Sequence, residues 1–251
     1  MLEQLDIANI LFLDVETVST QATFADLDES LQGLWRHKAN ILNRDSTEPL
    51  DDEGVAASYV DKAGIYAEFG KIVCISVGVV YRDKESKALR VRLKSFAEED
   101  EKQLLTAFSE LLGQYYSNLN RQYLCGHNIK EFDVPYICRR MIIHQLELPA
   151  MLDVAGKKPW ETKHLLDTME LWKFGDRKAF TSLKLLAAVL GFPSPKDDID
   201  GSEVGRVFWE EKDLDRIAHY CEKDVLATVQ LLRRYQRADI FTEEQVDHIG
   251  R

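Results

Sequence analysis

The stretch "NILFLDVETVST", from Asn9 to Thr20, constrains the fold more than any other. Its apolar run, Ile10, Leu11, Phe12 and Leu13, reads as a buried strand and ends in two acids, Asp14 and Glu16, one residue apart. Strand side chains alternate with period two, so both carboxyls point to the same side. Two like charges so close repel, and one pKa rises unless something positive sits between them. One reading is a strand running out into solvent, where acids are ordinary. The other is half of a metal site.

The chain has 251 residues, enough for one large domain or two small ones. With 45% hydrophobic and 30% charged residues, the composition is that of a soluble globular protein. No apolar run approaches the roughly 20 residues of a membrane helix. The start, "MLEQLDIANI", has no basic region followed by an apolar core, so no signal peptide is expected. The scattered cysteines, Cys74, Cys125, Cys138 and Cys221, form no CxxC pair and read as reduced, buried, cytoplasmic thiols. The net charge of −11 argues against coating nucleic acid by bulk electrostatics. It is compatible with an enzyme that grips one strand end locally.

Strands are expected at 10–16, 71–81 and 87–96, the last two as an antiparallel hairpin across "RDKES". Leu104, Leu105, Phe108, Leu111 and Leu112 predict a helix. "QYLCGHN" reads as a short strand, "VPYICRRMIIHQL" as a helix with Pro135 in its first turn, and "KHLLDTMEL" as a strand. "TSLKLLAAVLG" is a helix with Thr181 or Ser182 as cap and Gly191 as stop. A long helix follows, capped by Asp213. This order predicts one α/β layered domain over 1–251, a mixed sheet with helices on its faces. The stretch of about 19–66 reads as a helical insertion packed on that domain.

Two more places carry acids of interest. In "GHNIKEFDVPY", Asp133 sits at a strand-to-helix junction, where a helix N-cap is the plain alternative. In "IAHYCEKDVLATVQLL", Ile217, Cys221, Val225, Thr228 and Leu232 form a core stripe. Tyr220 and Asp224, four residues apart, share a face beside it. A partly buried carboxylate there needs a partner, either Lys223 or Arg139 or a divalent cation. Hard cations take carboxylate oxygens, and two of them about 4 Å apart can clamp a phosphoryl displacement.

"DVET", "HNIKEFD" and "YCEKDV" together resemble the three motifs of the DEDD superfamily of 3′→5′ exonucleases, in its tyrosine branch (DEDDy). With "FGKIVCISVG" and "DIDGSEV", the wording is similar to the stand-alone relatives of the proofreading domain of family B DNA polymerases. The resemblance spans roughly residues 8–235. It implies a ribonuclease H-like fold with a mixed five-stranded sheet and helices on both faces. It implies a metal-dependent exonuclease releasing nucleoside 5′-monophosphates from single-stranded 3′ ends, DNA favoured over RNA, with a role in DNA repair. Asp14, Glu16, Asp133 and Asp224 would hold two Mg²⁺ or Mn²⁺ ions, and Tyr220 would orient the attacking water. His219 has the spacing of a sister branch's histidine. Five residues of helix rotate by about 500°, so His219 should face away from Asp224.

Thr17, Asn128 and Phe132 are candidate substrate contacts, each with an ordinary structural alternative. "LWKFGDRKAFTSLK" places Lys173, Arg177 and Lys178 among Trp172, Phe174 and Phe180, which suits a single strand or a solvated loop. In "KDDIDGSEV" a calcium loop through Asp198, Asp200 and Gly201 fails, because Val207 stands where an acid is required. The resemblance makes Lys196 there a substrate candidate. Trp35, Arg36 and Lys38 read as a lid or as a packing helix. Competing functions are an endonuclease on the same fold, an RNA-directed exonuclease, and a silent binding module of a replication or repair complex.

Overall fold

The structure, a computed structural model, describes residues 5–44, 48–176, 180–193 and 199–250. Strand β1 (Ile10–Ser19) lies inside the sheet because both of its faces are apolar. Leu11, Leu13 and Val15 pack with Phe108 of helix α3 (Glu101–Tyr115) and Ile137 of helix α4 (Asp133–Ile143). Ile10 and Phe12 pack on the opposite face with Val225, Val229 and Leu232 of helix α8 (Leu214–Tyr235). Each such side chain contributes roughly 1.5–3 kcal/mol on full burial. The helices therefore cover both faces, as the resemblance implies.

β1 pairs antiparallel with β2 (Gly70–Arg82), and β2 antiparallel with β3 (Leu89–Ala97). On its other edge β1 runs parallel to β4 (Tyr123–Gly126), which runs parallel to β5 (Leu165–Asp167). Among the described residues the sheet has six strands, ordered β5-β4-β1-β2-β3-β6, one more than expected. The addition is β6 (Val246–Ile249), parallel to β3. Its four residues carry too little pattern to read as a strand. Asp247 holds it in place through Arg90 (2.6 and 3.0 Å) and Tyr81 Oη (2.6 Å).

"KHLLDTMEL" is a strand only over β5. The Asp167 carboxylate accepts from the Met169 and Glu170 backbone N–H groups and so starts α5 (Thr168–Lys173) at once. Helix α6 (Leu183–Leu190) is capped by Ser182 and stopped by Gly191 at φ +67°, as the sequence suggests. A short helix α7 (Val204–Arg206) continues into a π-helical turn, Val207–Glu211, before Asp213 caps α8.

The insertion forms α1 (Glu29–Leu42) and α2 (Asp52–Lys62), with a core of their own around Trp35, Tyr59 and Phe69. Trp35 is fully buried and donates to the Val55 carbonyl at 3.3 Å. Arg36 pairs with Asp52 at 2.7 Å, and Lys38 lies 3.8 Å over the Tyr66 ring. These three side chains thus serve helix packing. Cys74, Cys125 and Cys221 are buried free thiols, whereas Cys138 is only partly buried. Among the described residues no helix is long and apolar enough to cross a membrane.

A buried ionic group joins α3, α4 and β2. Glu101 accepts from the Ile72 backbone N–H (2.7 Å), from Arg140 Nε (2.9 Å) and Nη2 (2.5 Å), and pairs with His144 Nε2 (2.7 Å). Arg140 and Glu101 side chains are 7% and 4% exposed, so removing either leaves a buried charge uncompensated. Glu101→Ala should therefore cost about 3–5 kcal/mol in denaturant unfolding, while an exposed-pair change, Arg36→Ala, should cost about 1 kcal/mol or less.

Candidate active site

The site grows out of the middle of β1. Asp14 and Glu16 leave the strand on the face covered by α8, because Ile10 and Phe12 fix the alternation upstream. Glu16 is 8% exposed and accepts no hydrogen bond among the described residues. Its oxygens keep a narrow contact with solvent, so water, a proton or a cation can meet them. Burial, then the charges of Asp14 and Asp224, hold its pKa well above the usual range. Burial, then Asp224 and Asp133, do the same to Asp14. The mutual effects place Asp14, Glu16, Asp133 and Asp224 in one electrostatic cluster, although they stand far apart in the chain.

Asp133 reaches the cluster by a separate route. Gly126 ends β4 with its backbone tight against β1: a Cβ there would lie 3.0 Å from the Leu13 carbonyl and 2.9 Å from the Ile129 Cβ. The chain then turns through Asn128, in the left-handed region at φ +68°. Asp133 is the first residue of α4, not its cap, which is Phe132. Its own backbone N–H and that of Val15, beyond the point where β4 stops pairing with β1, lie on the side that favours its charged form. Burial pushes its pKa up to about 7, with Asp167 adding to the rise.

Tyr220 and Asp224 come from one face of α8 and border, with Asp14, a cleft of about 420 Å³. His219, one residue earlier, is exposed and faces a different cavity, between α8 and the C-terminal segment. The opposite wall of the cleft includes His127 and Lys184, neither of which stood out in the sequence. The His127 Nε2–H donates to the Thr181 carbonyl at 2.9 Å, and Nδ1 lies 2.9 Å from the Thr168 hydroxyl. Burial lowers its pKa, favouring the neutral ring.

Two buried groups escaped the sequence reading. Asp167 accepts from the Asn128 (3.1 Å) and Lys130 (3.2 Å) backbone N–H groups, so it holds the loop that carries Asp133. The Cys221 thiol lies 3.3 Å from the Asp14 carbonyl and 3.4 Å from its Oδ2. Asp14, Glu16 and Cys221 each bring a ligand atom within 4.8 Å of the others. The sequence hints at Asp167 only through an acid before a helix start. Cys221 reads simply as part of an apolar stripe.

The expected substrate contacts divide. The Asn128 side chain makes no hydrogen bond among the described residues. Phe132 packs on Tyr136, ring centroids 5.4 Å apart, at the edge of the core. Thr17 lies beside the Tyr136 hydroxyl, which donates to the Gly64 carbonyl at 2.7 Å. Trp172 stacks on Tyr235 at 6.1 Å, so it serves packing, whereas Phe174 and Phe180 are 90% and 73% exposed. Asp200 accepts from Ser202 in a turn. Arg177, Lys178, Lys196 and Asp198 lie outside the described residues.

The raised Asp133 pKa has a definite sign for stability. The fold favours the protonated carboxyl, so this contribution is complete below about 4, where a free aspartate titrates. It is lost as the pH rises through about 7. Calorimetry of the metal-free protein should show the melting temperature falling across that interval. Asp133→Asn, which cannot ionise, should flatten the fall.

The model of a family described as "Predicted 3'-5' exonuclease related to the exonuclease domain of PolB" matches residues 65–248. The match takes in Asp133, Tyr220 and Asp224 and begins after Asp14 and Glu16. No curated protein matches the chain. Among solved structures, the family B DNA polymerase of the hyperthermophilic archaeon Pyrobaculum calidifontis superposes with a TM-score of 0.54 at 13% identity. The likeness covers 90% of this chain and 24% of the polymerase chain, so this chain spans about a quarter of that protein's length. The fold is thus the ribonuclease H-like α/β fold of a polymerase exonuclease domain. By its match over well over half of its length, the chain belongs to the family of predicted 3′–5′ exonucleases related to the PolB exonuclease domain.

Proposed function

We propose that this chain is a metal-dependent 3′→5′ exonuclease that removes nucleoside 5′-monophosphates from single-stranded ends, DNA in preference to RNA. The observation that carries the reading is the gathering of Glu16, largely buried and without a hydrogen bond among the described residues, with three further acids whose charges act on it or on Asp14. A structural carboxylate at that depth is normally paired or hydrogen-bonded. Here the donor set is all oxygen apart from Cys221, which suits Mg²⁺ or Mn²⁺. Asp14, Glu16, Asp133 and Asp224 would hold the ions, with Asp14 central because Asp224, Asp133 and Glu16 all feel its charge or act on it. Bound there, two divalent ions would make the attacking water more acidic and offset charge on the leaving oxygen.

The remaining work falls to the chain itself. Tyr220 borders the cleft with Asp14 and Asp224, at the position from which a hydroxyl can orient water. Its unperturbed pKa near 10 makes it a positioning group more than a base. Lys184, on the opposite wall, can meet a phosphate. Asn128 offers an amide that makes no hydrogen bond among the described residues, and the exposed Phe174 and Phe180 offer stacking surface for unpaired bases. The whole chain would act as one exonuclease domain, with the helices of 19–66 packed beside the end of β1, in the cytoplasm.

A silent binding module is the second reading. It is disfavoured because a scaffold gains nothing by burying acids that destabilise one another.

The test is cleavage of 3′-labelled and 5′-labelled DNA and RNA oligonucleotides with Mg²⁺, Mn²⁺ or chelator. Stepwise loss of mononucleotide from the 3′ end, stopped by chelator, is expected. No cleavage with either metal would favour the module, and cutting of circular substrate an endonuclease. Tyr220→Phe should slow cleavage about 10²-fold or more, on the scale of a positioned proton-handling group. His219→Ala should change it by no more than about twofold, since surface substitutions are worth about 0.5 kcal/mol.

A further inference from the structure

We infer that Asp14, Glu16 and Cys221 form a binding site for a thiophilic divalent cation such as Zn²⁺, so that one thiol sets the metal preference of the cleft. The inference shares Asp14 and Glu16 with the proposed nuclease site and rests on that reading only for its consequence. Two independent observations carry it. The Cys221 sulfur, fully buried, stands 3.4 Å from Asp14 Oδ2, and the ligand atoms of all three residues lie within 4.8 Å of one another. Glu16, 92% removed from solvent by its 8% exposure, brings to the same point a carboxylate that no donor among the described residues satisfies.

The donor types decide which cation such a site prefers. Mg²⁺ demands oxygen ligands in octahedral geometry and keeps much of its water. A thiolate adds little to its binding. Zn²⁺ takes sulfur at about 2.3 Å and carboxylate oxygen at about 2.0–2.2 Å, which puts a tetrahedral sulfur–oxygen pair about 3.5–3.7 Å apart. The Asp14–Cys221 separation of 3.4 Å is close to that spacing, and Glu16 brings a third ligand atom within 4.8 Å of both. Binding breaks the Cys221 S–H bond, releases its proton to water and forms a sulfur–metal bond, with no change of oxidation state. A soft cation would thus compete with the hard ions at Asp14 and Glu16.

The test uses the whole protein and Cd²⁺, whose bond to a thiolate gives a near-ultraviolet charge-transfer absorption. One Cd²⁺ per chain should bind with that band, with release of a proton, and Zn²⁺ but not equal Mg²⁺ should displace it. Cys221→Ser and Cys221→Ala should abolish the band and weaken Cd²⁺ about 10- to 100-fold or more, since even groups that only support a ligand are worth that much. Cys138→Ser, at a thiol bonded elsewhere to the Leu152 carbonyl, should leave both unchanged. Glu16→Gln should weaken Cd²⁺ while keeping the band, a check that needs no change at the thiol. Absence of the band in the unaltered protein, or its survival in folded Cys221 variants, would overturn the site. Mg²⁺-dependent cleavage without the band would leave the nuclease reading intact; the band without cleavage would do the reverse.

Discussion

Repulsion among four carboxylates gathered beside β1 is the condition that the rest of the structure must meet. Burial first, and then the charges of Asp224 and Asp133, raise the protonation of Asp14, and burial with Asp14 and Asp224 does the same to Glu16. A fold tolerates such a cluster only if something outside the chain relieves it, a proton or a cation. The apolar packing on both faces of β1 holds Asp14 and Glu16 in place against that repulsion. The cluster is therefore a cost borne by the core, of the kind found where a site is kept ready for a ligand.

Each wall of the cleft has its own support. Asp167 binds the loop of Asn128 and Lys130 by their backbone N–H groups, so Asp133 arrives at the start of α4 in a fixed position. His127 ties that loop to the segment before α6 through the Thr181 carbonyl. On the far wall, α8 presents Tyr220 and Asp224 from one face while its apolar face packs beneath the sheet. A site assembled from three distant segments on one strand and two helix faces keeps its geometry through packing, not through the loops between them.

Much of this was legible in the sequence, for reasons that differ by residue. Asp14 and Glu16 announce themselves because strand alternation is rigid, and Tyr220 and Asp224 because four residues nearly complete a helical turn. The separation of His219 from the cleft follows from the same rotation. Asp167 was hidden because an acid after two leucines fits a strand continuing to Leu171 equally well. Only its four backbone partners reveal that the strand stops there. Strand β6 was hidden because "VDHI" has no periodicity of its own and depends on Arg90 and Tyr81 from elsewhere in the chain. Cys221 looked like core because apolar spacing says nothing about the polar atoms across the gap. Lys184 and His127 reach the cleft through tertiary folding alone.

The most direct measurement is the anomalous scattering of crystals grown with Mn²⁺. Two ordered manganese peaks bounded by the carboxyls of Asp14, Glu16, Asp133 and Asp224 are the result this account predicts. At saturating Mn²⁺, an ordered cluster with no peak within coordination distance of Glu16 would contradict it. That carboxyl would then be satisfied by a proton alone.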